Sequence, residues 1–269
     1  TTTAIERFEV IDMSRQLIAL NRFGLGARPG EAQRLDDPRG WLLDQLRGGP
    51  PELLDATPGS ESAAALIREF VSASRAQDQN RLRPLRRRIQ EHLVAEVGNV
   101  LATRARTERP FAERWVAFWS NHLCISGAGG IREALLAGSY EREAIRPHVF
   151  GRFEEMVLAS ARHPAMLYYL DNAASAGPDS PQLSRLRRRR RDAERAQERG
   201  LNENYARELL ELHTVGVEGG YTQDDVVELA RILTGWTVRG AGLGGARNDG
   251  DLGFRFVAGL HQPGRKTVM

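Results

Sequence analysis

Pro110-Phe111-Ala112-Glu113-Arg114-Trp115-Val116-Ala117-Phe118-Trp119-Ser120-Asn121-His122 is the stretch whose reading decides the fold class. A helix leaves the N–H groups of its first turn unpaired, so Pro110, which has none to offer, fits at the head. Phe111, Trp115, Phe118, Trp119 and His122 then recur at steps of four, three, one and three. At about 100° per residue they fall on one narrow stripe, which predicts an amphipathic helix with its aromatic face buried.

The same periodicity extends outward in both directions. Upstream, Trp41, Leu42 and Leu46 share a face after Pro38, and Ala65, Leu66, Phe70 and Val71 mark a helix within 61–79. Leu85, Ile89, Leu93, Val94 and Val97 predict a long helix over 82–106, with Pro84 in its first turn. Before Pro38, the apolar stretch Leu17 to Leu20 reads as a short helix, and Gly24-Leu25-Gly26 and Pro29-Gly30 shape a loop after it. Downstream, helices are predicted over 131–145, 153–162 and 164–170, with a break at Gly127 to Gly130. A strong helix follows from Asn202 to Val215, closed by Gly216. Thr222 and Asp225 have capping-box spacing and open a further helix that reaches about Gly235. Residues 171–181 read as a loop, and 236–269 as Gly-rich with one strand near Phe254 to Val257. The expectation is an all-α protein, an irregular multi-helix bundle with little or no sheet, forming a single helical domain over 13–269. Residues 1–12 read as a leader or an appended remnant before a start at Met13, and the ending at Met269 as cut short.

Composition narrows the function classes. At 269 residues the chain can bury a sizeable core, and 41% hydrophobic with 27% charged residues is ordinary for a globular protein. No apolar run approaches the ~20 residues of a membrane span. The single cysteine, Cys124, excludes an internal disulfide framework and a multi-cysteine zinc site. One thiol fits a reducing compartment and slightly favours the cytoplasm, with export left open. Flanked by Leu123 and Ile125 with no base nearby, Cys124 reads as a buried, inert thiol. The isoelectric point is near 9.4, with arginines clustered at 81–88 and 185–191. Asp192, Glu194 and Glu198 oppose the run Arg187 to Arg191, and no aromatic side chains interleave it, so nucleic acid is disfavoured. An anionic ligand or a protein partner stays open.

Several segments together resemble a bacterial family catalogued as "domain of unknown function 1800". The most specific is Asn202-Glu203-Asn204-Tyr205-Ala206-Arg207-Glu208-Leu209-Leu210-Glu211-Leu212-His213-Thr214, continued by Gly219 to Val226 and by Ala230 to Trp236. Asn21 to Gly26, Trp119 to His122, His163 to Met166, Tyr169 to Asn172, and His261 to Thr267 add to it. The resemblance implies a helical bacterial protein. It brings no activity with it; many members are longer and some are exported.

Candidate site residues concentrate in three of these segments. Glu208 and Glu211 lie three apart on the 202–214 helix, so both carboxylates can face one cavity and shift each other's titration, which suits acid–base work. A divalent metal held by Glu208, Glu211 and His213 is disfavoured, because in an α-helix His213 points about 200° from Glu211 and about 140° from Glu208. His122 ends the aromatic stripe, with Asn121 beside it. Asp171 sits among Leu167, Tyr168, Tyr169 and Leu170 and would need Arg207 or Arg231 as a partner. The leading expectation is an enzyme of hydrolytic or acid–base type. Glu208, Glu211, His122, His213 and Asp171 would serve as catalytic groups, and Arg207, Arg231, Asn121 and Asn202 as substrate contacts. The alternative is a non-catalytic protein that binds a partner through helical surfaces and the Arg-rich segment, its polar residues closed into ion pairs.

Overall fold

The computed structural model describes residues 15–55, 59–188, 200–239 and 252–269. The expected leader at 1–12 and the latter part of the arginine run lie outside the described residues. Helix α1 spans 15–22, α2 Glu31–Arg34, α3 Pro38–Arg47, α4 Ser60–Arg75, α5 Gln79–Arg106 and α6 Pro110–His122. Helix α7, Ile131–Tyr140, continues through a π turn, Glu141–Ile145, into a 3-10 turn, Arg146–His148. Then come α8 Phe153–Arg162, α9 Pro164–Tyr169 and α10 Pro181–Arg188. Helix α11, Glu203–Glu208, also runs into a π turn, Leu209–Thr214, and α12 covers Gln223–Leu233. The protein is mostly α-helical.

Local chemistry sets many of these boundaries. Asp37 caps α3 by accepting from the N–H groups of Arg39 (3.1 Å) and Gly40 (3.0 Å), with Pro38 in the first turn. Thr222 and Asp225 close both halves of the expected capping box: Thr222 N donates to Asp225 Oδ2 (2.7 Å), and Asp225 N to Thr222 Oγ1 (3.3 Å). His163 caps α9, its Nδ1 accepting from Ala165 N at 3.1 Å. Asp78 caps α5 through Arg81 N at 3.1 Å. Helix α5 therefore starts at Gln79, and Pro84 is interior instead of lying in the first turn. A proline there leaves the carbonyl four residues back without its helical donor.

The core gathers around α7 and α9. Leu135, Leu136 and Tyr140 of α7 meet Leu66 and Ile67 of α4, Val116 of α6, Met166 and Leu167 of α9, and Tyr205 and Leu210 of the α11 segment. Each such large apolar side chain contributes about 1.5–3 kcal/mol on burial. Tyr205 is fully enclosed and still satisfied, because its hydroxyl donates to Ala161 O at 2.8 Å.

Helix α6 buries the face next to the expected one, and Trp115 and Trp119 of the aromatic stripe pack against the edge of the core. Ala112, Glu113 and Val116 are the enclosed residues, while Phe118 is 50% exposed and Phe111, Trp115, Trp119 and His122 are half-buried. The aromatic rings stack along the helix instead. Trp115 and Phe118 lie 5.0 Å apart at 7°, and Phe118 and His122 lie 6.3 Å apart at 2°. Phe23, Phe150 and Phe153 extend this layer. Small residues let the helix approach the core closely, so the aromatic stripe covers the rim.

The one expected strand, Phe254–Phe256 (β2), has a partner in Trp236–Val238 (β1). They pair antiparallel with Trp236 opposite Phe256 and Val238 opposite Phe254. Thr237 Oγ1 donates to Ala173 O at 2.7 Å, which ties this clasp to the 3-10 turn Asn172–Ala174.

Candidate functional site

Both π turns move charged or imidazole side chains to where α geometry would not put them. In a π turn the backbone bond runs from i to i+5, so residues five apart stack along one side. Glu141 and Arg146 are such a pair, and Arg146 Nε donates to Glu141 Oε1 at 2.9 Å. Pro147 follows, cannot donate to the preceding turn, and ends it. The same guanidinium forks onto Glu113, with Nη1–Oε1 at 2.6 Å and Nη2–Oε2 at 2.9 Å. Glu113 is 1% and Arg146 3% exposed. Arg104 adds a second guanidinium, 3.9 Å from Glu113 and 3.6 Å from Glu141. Burial alone would lower the Arg146 pKa, but the bond to Glu113 and the two carboxylate charges outweigh it and raise it. Two carboxylates face two guanidiniums, and this arrangement locks α5, α6 and α7 together.

A second buried polar knot lies beside it. Tyr140 Oη donates to Leu123 O at 2.6 Å and lies 2.7 Å from Ser160 Oγ. Burial pushes its ionisation well above the ordinary phenol range. His163 Nε2 stands 3.4 Å from Glu143 Oε2. Burial would raise the Glu143 carboxyl, but the His163 ring and the Ser60 N–H together hold it below its usual value.

The residues picked from sequence are distributed over several places. His122 and His213 do meet, with His122 Nε2 3.1 Å from His213 O. His213 is buried, and its pKa is lowered to about 4, first by desolvation and then by His122. Because 209–214 is a π turn, the 3.6-residue spacing behind the expected separation of about 140° between Glu208 and His213 does not hold there. Glu211 adjoins Tyr221, whose hydroxyl is raised first by desolvation and then by the carboxylate. Arg207 donates to Gln223 Oε1 at 2.9 Å and lies 3.9 Å from Glu203. Arg231 pairs with Glu228. Neither guanidinium is the partner expected for Asp171, which is exposed and sits at φ 57°, outside the apolar neighbourhood its sequence suggests. Asn121 is exposed. Asn202 caps α11 by accepting from Asn204 N (2.9 Å) and donates to Leu170 O (2.5 Å). Cys124 is exposed, not buried: Leu123 takes the inward position at the end of α6 and turns its neighbour out. Among the described residues, no three His, Cys, Asp or Glu side chains are grouped so as to hold a metal ion.

A further buried polar junction lies where the 170–180 turn, the end of α12 and the segment 261–266 meet. Asn172, Ser175, Ser180 and Thr234 are all at most 3% exposed. Asn172 Nδ2 donates to Leu233 O and Trp236 O, both at 3.2 Å. Ser175 Oγ accepts from Asn202 N at 3.2 Å, so the junction reaches the start of α11. Gln262 is clamped on both sides, its N donating to Thr234 Oγ1 (2.8 Å) and its Nε2 to Asp179 Oδ2 (3.0 Å). Gly177 lies flat against it; a Cβ there would come within 2.5 Å of Gln262 Cα. Gly235, at φ 81°, makes the sharp turn into β1 close under His261.

Out of this junction project His261 and Lys266. His261 Nδ1 is 2.9 Å from Thr234 O, and His261 Nε2 is 2.9 Å from Lys266 Nζ. A carbonyl oxygen only accepts, so Nδ1 carries the proton and a neutral ring presents a lone pair on Nε2 to the amine. Lys266 Nζ also donates to Gln262 O. Sequence reasoning passed over this pair, although one signal was available: Lys266 is the only lysine in the chain.

Fold and junction together define a mostly helical protein closed by a small two-stranded clasp that carries an amine–imidazole pair. The chain belongs to the family described as "Protein of unknown function (DUF1800)", which matches residues 18–269, in agreement with the resemblance of the Asn202–Trp236 motif. No curated protein and no solved structure matches it. Among the described residues, no helix is long and apolar enough to cross a membrane.

Proposed function

We propose that this protein is an enzyme of acid–base type whose proton-handling centre is His261 with Lys266, at the junction bounded by the 171–180 turn and the start of α11. The carrying observation is the chain Lys266 Nζ, His261 Nε2, His261 Nδ1, Thr234 O, with 2.9 Å at each hydrogen bond. A transferable proton, a base within hydrogen-bond reach and a group that orients the base are what proton-transfer catalysis requires. Two buried atoms at the same junction, Asn172 Oδ1 and Ser180 Oγ, have no hydrogen-bond partner among the described residues. Such atoms cost about 1–3 kcal/mol each, and their clustering here supports a site kept for more than stability.

The test is a panel of small esters, amides and carbonyl compounds incubated with the protein and followed by proton NMR. Turnover is expected from wild type and not from Lys266→Arg or His261→Asn, both of which keep their helical circular dichroism. Turnover that persists in both variants would remove this centre from the reaction. The alternative, a non-catalytic binding protein, is favoured by a different observation: Val94, Val97 and Leu101 lie at helical spacing on α5 and are 60–61% exposed. Sedimentation at rising concentration, compared between wild type and Val97→Glu, addresses that reading.

A further inference from the structure

The chain has 38 basic side chains of the lysine and arginine type, and 37 of them are arginine. A guanidinium stays charged and cannot act as a nucleophile, whereas an amine can shed its proton and attack. If a cation alone were needed at position 266, arginine would serve, as it does elsewhere in the chain. The surroundings also differ from those of an ion pair. Among the described residues no carboxylate pairs with Lys266; its contacts are an imidazole nitrogen and a backbone carbonyl. The imidazole is fixed on its far side by Thr234 O. Thr234 is itself held, its Oγ1 donating to Arg231 O (2.6 Å) and accepting from Gln262 N (2.8 Å). The Phe256 ring stands edge-on to His261 at 5.3 Å. Nucleophile, base and orienting group thus stand in sequence, the arrangement by which weak nucleophiles are activated.

We propose that Lys266 is a nucleophile that forms an imine with an aldehyde or ketone substrate, with His261 as its base; this deepens the acid–base reading and rests on it. His261 Nε2 takes one proton from the ammonium, leaving the Nζ lone pair free. Nζ attacks the carbonyl carbon, the C–N bond forms, and the C=O π electrons move to oxygen. That oxygen takes the proton back from His261 to give a carbinolamine. A second proton passes from nitrogen through His261 to the hydroxyl, water leaves, and a C=N bond remains. Ammonium plus carbonyl becomes protonated imine plus water, with charge conserved. Arginine at position 266 could perform none of these steps.

The full chain is incubated with glycolaldehyde or, separately, pyruvate in the presence of cyanoborohydride, which reduces an imine to a stable secondary amine. Labelling is read by peptide mass mapping. Nα-acetyl-lysine in the same tube serves as the free-amine reference. Lys266 is expected to label about a hundredfold faster than the reference, the scale of positioned acid–base assistance. The advantage is lost in His261→Asn, and no label appears in the 261–269 peptide of Lys266→Arg. Labelling no faster than the reference overturns the proposal, as does an advantage unchanged in His261→Asn. The comparison with the reference uses wild type alone, so it stands even if a variant fails to fold. If trapping fails while turnover still requires both residues, the imine is excluded and the acid–base reading survives; if turnover is independent of them, that reading falls.

Discussion

Acidification should destabilise this protein through one identifiable group, His213. Its ring is buried in the π turn of α11, and desolvation, followed by the neighbouring His122, lowers its pKa from 6.5 to about 4. The folded state therefore keeps the imidazole neutral at a pH where the unfolded chain has already bound a proton. Because the unfolded state binds more protons in that window, stability falls as pH falls. The loss begins near the unfolded value of 6.5 and is complete near 4, the folded value. At about 1.36 kcal/mol per pH unit that gap corresponds to ~3 kcal/mol, an upper figure because water reaching the ring would reduce it. Urea unfolding followed by helical circular dichroism, at half-unit steps from pH 7.5 to 4, measures this directly. Subtracting the curve of His213→Asn from that of wild type removes the contribution of every other titrating group. The difference is expected to shrink by about 2–3 kcal/mol across the window and to be flat above it. Parallel curves, within ~0.5 kcal/mol throughout, would refute the reasoning, because a ring that protonates as easily folded as unfolded is not held neutral by its surroundings.

Two further outcomes follow from the packing. Arg146→Met leaves Glu113 enclosed with only Arg104 at 3.9 Å, and should cost about 3–5 kcal/mol in urea unfolding. Glu113→Leu added to it should restore part of that loss, and a double variant no better than the single would show that the penalty is not an unpaired buried charge. Gly177→Ala places a methyl 2.5 Å from Gln262 Cα, on backbone and not on a flexible side-chain end. It should cost ~1–3 kcal/mol and reduce the labelling advantage of Lys266, and a thermal midpoint unchanged from wild type would mean that the 261–266 segment is not clamped as described.

Much of the fold was legible because helices are written in short-range terms. The step pattern of Phe111 to His122, the capping box of Thr222 and Asp225 and the stop at Gly216 involve residues at most four apart, and each marks a boundary close to where the helix lies. The family, too, was legible from the Asn202–Trp236 motif. The site was less so. Angular reasoning about Glu208 and His213 assumed 3.6 residues per turn, and the chain takes a π turn there. Asn202 and the two arginines read as site groups because they are polar residues in apolar surroundings, yet Asn202 caps α11, Arg207 bonds across to Gln223 of α12 and Arg231 pairs with Glu228 of its own helix.

By itself, the sequence determined where most helices run, the capping box of α12, and the single lysine among 37 arginines. Only the tertiary structure decided which side of α6 faces inward, that Glu113 finds Arg146, and that Thr234 orients His261 toward Lys266. The physical reason is range: periodicity and capping act within one or two turns of backbone. Burial and partner choice depend on which distant segments arrive at the same place, and 27 residues separate Thr234 from His261.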